Sequence, residues 1–139
     1  LFTWDTMSGL TPEDYANPVL VDADPTGAET NGLLADLERY LPTRQAWADM
    51  LEYRTRQTLT VTTAYIPASW HRIERDNPKR LADGTTAVTI EGIRHRYGTW
   101  LGEPHTSDHE VAFTIFLTCP PTHDRCHTLR LSRLDNPLR

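Results

Sequence analysis

Hydrophobic residues recur at helical spacing in the first part of the chain. Across residues 29–41 a leucine returns about every four positions, which is the spacing of one face of an amphipathic helix. Pro42 interrupts this pattern, and Thr43 is placed to cap a second helix. The apolar face of that second helix is predicted to hold Trp47, Met50 and Leu51.

Residues 1–28 are predicted to form a helical lead-in to this block. The apolar positions of 1–7 suit a helix face, and Thr11 followed by Pro12 is typical of a helix start. Asn17-Pro18 is predicted to end this short helix, because a proline disfavours helical geometry in the residue before it.

From Gln57 onward the period of the pattern falls to two, which is typical of strands. Strands are predicted over residues 57–66, 85–97, 109–118 and 126–134. Leu59, Val61, Thr63 and Tyr65 are predicted to share one face of the first of them, and Gly92 is predicted to mark a β-bulge in the second.

The stretches between these strands are predicted to be irregular. Residues 70–73 are expected to extend the chain beyond the first strand, and 98–107 to form a connection. Helices followed by consecutive strands predict an α+β fold, with the N-terminal helices packed on a four-stranded antiparallel sheet. A length of 139 residues fits one domain, divided into a lead-in (1–28), helices (29–56) and a sheet (57–139).

The charge and the motifs exclude some functions. A net charge of −5 argues against a nucleic-acid partner, which requires a basic face. The sequence has neither a glycine-rich phosphate loop nor a nucleophile elbow, and no cofactor is expected. No motif therefore points to a particular class of enzyme. The chain starts at Leu1, so it is expected to be a processed or truncated fragment.

The two cysteines flank a predicted six-residue hairpin loop. Cys119 ends one strand and Cys126 begins the next, so they would face each other at the base of the hairpin, at a distance that a disulfide can bridge. A disulfide implies an oxidising compartment. Zinc is the alternative, since His123 and His127 lie beside the cysteines, but Cys126 and His127 would point to opposite faces of the sheet.

Other polar residues leave a second function open. A pocket between the sheet and the helices could bind a small molecule or form the active site of an enzyme. The residues predicted to line it are Asp49, Tyr65, His95 and Trp100. A cluster of acidic residues and histidines lies at residues 103–110 and is formed by Glu103, His105, Asp108, His109 and Glu110. It has two interpretations, a metal or acid/base site and a polar loop between strands.

Three features resemble one family, the extracytoplasmic domains of type IV secretion and conjugation assembly factors, including TcpC-like proteins. They are the helical segment 41–61 that runs directly into a strand, the threonine-rich strand at 85–100, and the terminal Asn136, Pro137 and Leu138. The resemblance covers roughly residues 29–139. It implies a cystatin-like or nuclear-transport-factor-2-like fold, in which the sheet is strongly curved.

The resemblance also implies a role. Members of this family are non-enzymatic scaffolds of a membrane-spanning transfer channel, so the resemblance implies that this domain is not an enzyme. The expected partners are other envelope or secretion-channel proteins, with a homo-oligomer as a further possibility. The domain is expected to be extracytoplasmic, and the full-length protein to be anchored by a membrane helix that precedes the domain.

Overall fold

Helices and strands alternate more than the hydrophobic pattern predicts. The computed structural model describes all residues from 1 to 139. Its elements in chain order are β1 (Trp4–Asp5), a 3₁₀ turn (Thr6–Ser8), α1 (Pro12–Val21), α2 (Thr30–Tyr40), α3 (Arg44–Glu52), β2 (Arg56–Tyr65), α4 (Ala68–Asp76), β3 (Thr85–Trp100), β4 (Glu103–Thr118) and β5 (His127–Leu131). The α+β class is confirmed.

The five strands form one curled antiparallel sheet in the order β1-β2-β3-β4-β5. The prediction of four strands missed β1, and the prediction that residues 1–7 are helical is wrong. Trp4 pairs with Gln57 of β2, and its ring lies 5.3 Å from that of Trp47. Burial of this one side chain against α3 therefore outweighs the weak helical spacing of a short segment.

Strands β3 and β4 make a long hairpin with a turn of only two residues. Trp100 pairs with Glu103, and Leu101 and Gly102 both have positive φ, at 49° and 81°. Two left-handed residues are what a tight hairpin turn requires, because their twist matches that of the strands. The predicted connection at 98–107 is therefore wrong, since both strands continue through it.

A register shift lies opposite Gly92, on β2. Val61 pairs with Gly92 but Thr63 pairs with Glu91, so Thr62 is the extra residue. A Cβ on Gly92 would lie 2.5 Å from the carbonyl oxygen of Thr60, which explains the glycine. The prediction that Gly92 itself forms the bulge is therefore wrong. The prediction that Leu59, Val61, Thr63 and Tyr65 share one face is also wrong, because the bulge at Thr62 places Thr63 and Tyr65 on the face of Thr60.

Residues 68–76 are helical and do not extend β2. Helix α4 follows Pro67, and Trp70 is buried with its ring 6.1 Å from that of Phe116 on β4. Helix α1 also departs from prediction, because it continues past Pro18 to Val21. Val19 and Leu20 pack against the core, which offsets the backbone hydrogen bond that a proline lacks.

Helices cover both faces of the sheet. The first face, which bears Phe113 and Ile115, packs against α1 and α2, and its core includes Leu33, Leu37 and Leu131. The second face, which bears Thr114 and Phe116, is covered by α4 and by the C-terminal residues. None of the helices combines the length and the apolarity needed to cross a membrane.

The two edges of the sheet differ. The outer edge of β5 is covered, because Ala23 forms a parallel bridge with Thr128. The outer edge of β2 is covered by β1 only at Arg56 and Gln57, so residues 58–65 have no paired strand on that side.

Candidate functional site

The predicted disulfide between Cys119 and Cys126 is present, with Cα atoms 3.9 Å apart. Both sulfurs are therefore unavailable as metal ligands. The ring of His127 lies edge-on to that of His123 at 5.1 Å, and no group of three or more potential ligands is arranged to hold a metal ion. These positions do not favour the zinc alternative.

The loop closed by the disulfide is fixed to the segment that follows α1. His123 Nε2 lies 2.7 Å from Asp24 Oδ1, and Arg125 pairs with Asp22 at 2.8 Å. Burial of the Asp24 carboxyl would raise its pKa, but hydrogen bonds from Thr26 and His123 outweigh it, so the pKa is lowered. The loop is thus part of the folded body and not a free arm.

The terminal Asn136-Pro137-Leu138 segment follows the last strand and crosses the second face. Leu138 N donates to Thr114 Oγ1 at 2.8 Å, and Leu138 O accepts from Thr89 Oγ1 at 2.6 Å. The two hydroxyl oxygens are 2.8 Å apart, so the Thr114 hydroxyl donates to Thr89 and closes a ring of three hydrogen bonds. Both threonine side chains are buried.

A shallow cleft of about 370 Å³ lies beside this segment on the second face. Glu91, Glu110 and Asp135 contribute acidic groups to it, and Arg139 forms an ion pair with Glu91. The hydrogen bond from Arg139, followed by that from Tyr65, lowers the pKa of Glu91. Tyr65, which was predicted to line a pocket, therefore donates a hydrogen bond to the Glu91 carboxylate at the side of this cleft.

His95 lies on the same face, between a hydroxyl and a carboxylate. Its Nε2 is 2.9 Å from Thr60 Oγ1, and its Nδ1 is 2.6 Å from Asp108 Oδ1. With a neutral imidazole, Nδ1–H donates to Asp108 and Nε2 accepts from Thr60. This is the order of groups in which a histidine can act as a base toward a hydroxyl.

The structure does not bring together the four residues predicted to line a pocket, Asp49, Tyr65, His95 and Trp100. Asp49 lies on α3, where Gln45 donates to it at 2.9 Å. Trp100 lies at the end of the long hairpin, with its ring 5.0 Å from that of Tyr53. Only Tyr65 and His95 share a face of the sheet.

The polar loop predicted for residues 103–110 is instead part of β4. His109 pairs with Arg94, and His105 pairs with Gly98. By alternation these residues lie on the first face with Arg96, whereas Asp108 lies on the second. Asp108 and Glu110 are thus separated from the two histidines, whereas Glu103 shares their face.

Two arginines of β3 were not identified from the sequence. Arg94 and Arg96 alternate with His95 in the strand, so both side chains lie on the first face. Arg96 Nε donates to the Gln57 amide oxygen at 2.9 Å, and its guanidinium lies 5.5 Å from the Trp4 ring. Two cations at alternating positions, in line with the apolar Val88 and Ile90 of the same face, would have been the signal.

Searches against protein-family models, curated proteins and solved structures give no match for this chain.

Proposed function

We propose that this chain is a non-catalytic protein-interaction domain that works outside the cytoplasm, as a scaffold in a conjugative-transfer apparatus of the type IV secretion kind. An α+β fold with a curled antiparallel sheet is compatible with the cystatin-like or nuclear-transport-factor-2-like fold of such domains. The disulfide supports an oxidising compartment. In the full-length protein a preceding membrane helix would anchor the domain.

The open edge of β2 is the observation on which this proposal depends. Residues 58–65 have unpaired backbone groups on one side, and the stretch contains no charged residue and no proline. Folded proteins usually protect such an edge with charges or prolines, because it can add a strand from another chain. Val61, near the middle of this edge, is 53% exposed. The edge would pair with a strand of another channel protein or with a second copy.

The experiment replaces Val61 with lysine in the natural host and measures DNA transfer between cells. A lysine at an edge strand opposes strand addition, so transfer is expected to fall toward the level of a gene deletion. Val21→Lys is the matched control, because Val21 is 79% exposed and belongs to α1, not to the sheet. Undiminished transfer after deletion of the gene would exclude the proposed apparatus.

A second candidate function is supported by the Thr60–His95–Asp108 arrangement. A hydroxyl, an imidazole and a carboxylate at 2.9 and 2.6 Å could act as nucleophile, base and orienting acid in ester hydrolysis. Purified protein would be incubated with a p-nitrophenyl ester, alone and as Thr60→Val and His95→Gln. Hydrolysis lost in both variants would support an enzyme, and rates equal to those of buffer would exclude this activity for that ester.

A further inference from the structure

Arg94 and Arg96 lack a carboxylate partner, in contrast to several other arginines of the chain. Arg130 pairs with Asp36, and Arg139 pairs with Glu91. Neither Arg94 nor Arg96 takes part in an ion pair, and Arg94 Nε is buried without a hydrogen-bond partner. Burial, followed by repulsion from Arg94, lowers the pKa of Arg96. Two neighbouring cations without a counter-charge favour the binding of an anion.

A cleft of about 330 Å³ adjoins Arg96 toward the end of the β3–β4 hairpin. None of its ten lining residues is an aspartate or a glutamate. Its polar and aromatic lining includes Tyr53, Thr55, Arg96, Trp100, His105 and Ser107. In a chain of net charge −5, a cleft that has a guanidinium, an imidazole and hydroxyls but no carboxylate fits a phosphate group.

The hairpin turn beside this cleft is apolar and exposed. Leu101 is 88% exposed and Trp100 50% exposed. Leu101 also has a φ of 49°, a conformation that residues other than glycine, asparagine and aspartate rarely adopt. Asn-Gly is the usual pair in such a turn, so a leucine here is favoured neither by the backbone nor by burial within the chain.

Cations also lie near the turn. Arg54 is exposed and follows Tyr53, whose carbonyl oxygen accepts a hydrogen bond from Thr99 N at 2.7 Å. Arg96 precedes Trp100 by four residues, and it lines the cleft beside the turn while its guanidinium is held by Gln57 and the Trp4 ring. Glu103 directly follows the turn, and Glu52 precedes Tyr53; both are exposed.

We propose that the end of the β3–β4 hairpin binds the surface of a membrane that contains anionic phospholipid. Trp100 and Leu101 enter the boundary between headgroups and acyl chains. Arg54 and His105 contact the phosphodiester groups, and Arg96 and Arg94 add positive charge behind them. Exposed apolar side chains beside cations are the combination that binds such surfaces. The inference does not depend on the proposed scaffold function.

The experiment measures co-sedimentation of the purified 139-residue chain with phosphatidylcholine vesicles, with and without phosphatidylglycerol. Binding is expected only with phosphatidylglycerol, and it is expected to weaken as salt is added. Leu101→Asn keeps a residue that tolerates the turn and is expected to reduce the affinity about tenfold or more, since a leucine is no longer buried. Arg54→Gln is expected to reduce it about fivefold.

Matched controls separate this surface from general effects. Val21→Asn removes an exposed apolar residue elsewhere, and Arg75→Gln removes an exposed arginine of α4; both are expected to bind like the wild type. Glu103→Gln is expected to strengthen binding. Urea unfolding curves establish that each variant is folded.

Three results would overturn the proposal. One is equal binding to vesicles with and without phosphatidylglycerol, and another is unchanged binding by folded Leu101→Asn. The third is a free phosphate site: glycerol 1-phosphate that perturbs the Arg96 and His105 resonances while vesicles do not bind. The vesicle experiment does not measure DNA transfer. A negative result would therefore reject the membrane site without affecting the scaffold proposal, which the transfer experiment tests.

Discussion

At the scale of single residues, Asp36 is a buried carboxylate that depends on hydrogen bonds from a neighbouring strand. Its side chain is only 3% exposed, yet it accepts hydrogen bonds from Arg130 Nε at 2.7 Å and from Leu131 N at 3.0 Å. Gly32 allows this approach, because a Cβ there would lie 2.6 Å from the Arg130 guanidinium. One carboxylate therefore joins α2 to the edge strand β5.

Asp36→Asn is expected to lower the free energy of unfolding at pH 7 by about 2 kcal/mol, the loss typical of hydrogen bonds to a charged group when the cation stays partly solvated. Urea unfolding would measure it. Asp49→Asn is the control, because Asp49 is exposed on α3; its effect is expected to be below about 0.5 kcal/mol. Equal effects of the two variants would contradict the role of Asp36.

The effect of Asp36→Asn on the free energy of unfolding is also expected to depend on pH. Burial alone would raise the pKa of Asp36, but hydrogen bonds from Arg130 and Leu131 outweigh it and hold the pKa below its usual value. A lowered folded-state pKa stabilises the fold above the unfolded value of about 3.9, and this contribution is lost as the pH falls through the folded-state pKa. The difference between wild type and Asp36→Asn is therefore expected to shrink below about pH 4. A constant difference down to pH 2 would contradict it.

At the scale of elements, the C-terminal segment acts as a strap across the second face. It is held by the ring of hydrogen bonds among Thr89, Thr114 and Leu138, and by Asp135 N, which donates to Ala112 O at 2.7 Å. Ser69 N also donates to Arg139 O, so the segment reaches α4. The Asn-Pro-Leu residues thus have a structural role in this chain whatever their origin.

Thr114→Val is expected to destabilise the protein by about 1–3 kcal/mol, because it leaves the Leu138 N–H without an acceptor. Hydrogen exchange of residues 136–139 is expected to accelerate in the same variant. Thr118→Val is the matched control, since Thr118 is another buried threonine of β4 and has no side-chain hydrogen bond to this segment. A similar loss in both variants, without faster exchange at the C-terminus, would contradict the strap.

Elements with a strong period could be predicted from the sequence, whereas those set by tertiary contacts could not. Helix α2 and the Cys119–Cys126 hairpin follow from local spacing. Strand β1 and helix α4 depend on where Trp4 and Trp70 are buried, which one sequence does not reveal. The cleft beside Arg96 was missed for a related reason: it forms only when β4 continues through residues predicted to be a loop.

At the scale of the whole molecule, stability is unevenly distributed along the sheet. The ends of β3 and β4 nearest α4 contain buried residues such as Ala87, Thr89 and Thr114. Toward the hairpin turn, by contrast, residues 103–110 of β4 are all exposed. Both halves are fully hydrogen-bonded between the strands, so the difference between them lies in the packing of side chains on the two faces.

Hydrogen exchange is therefore expected to show a gradient along a single hairpin. Amides at 87–91 and 111–115 should exchange only through global unfolding, because α1 and α2 cover the first face of that region and α4 with the C-terminal segment covers the second. Amides at 98–106 should exchange through local opening, at rates that do not change in the Asp36→Asn variant. Equal protection along the whole hairpin would contradict this distribution. Faster exchange near the turn would leave the Trp100–Leu101 end able to adapt to a surface while the sheet beneath α1, α2 and α4 stays fixed.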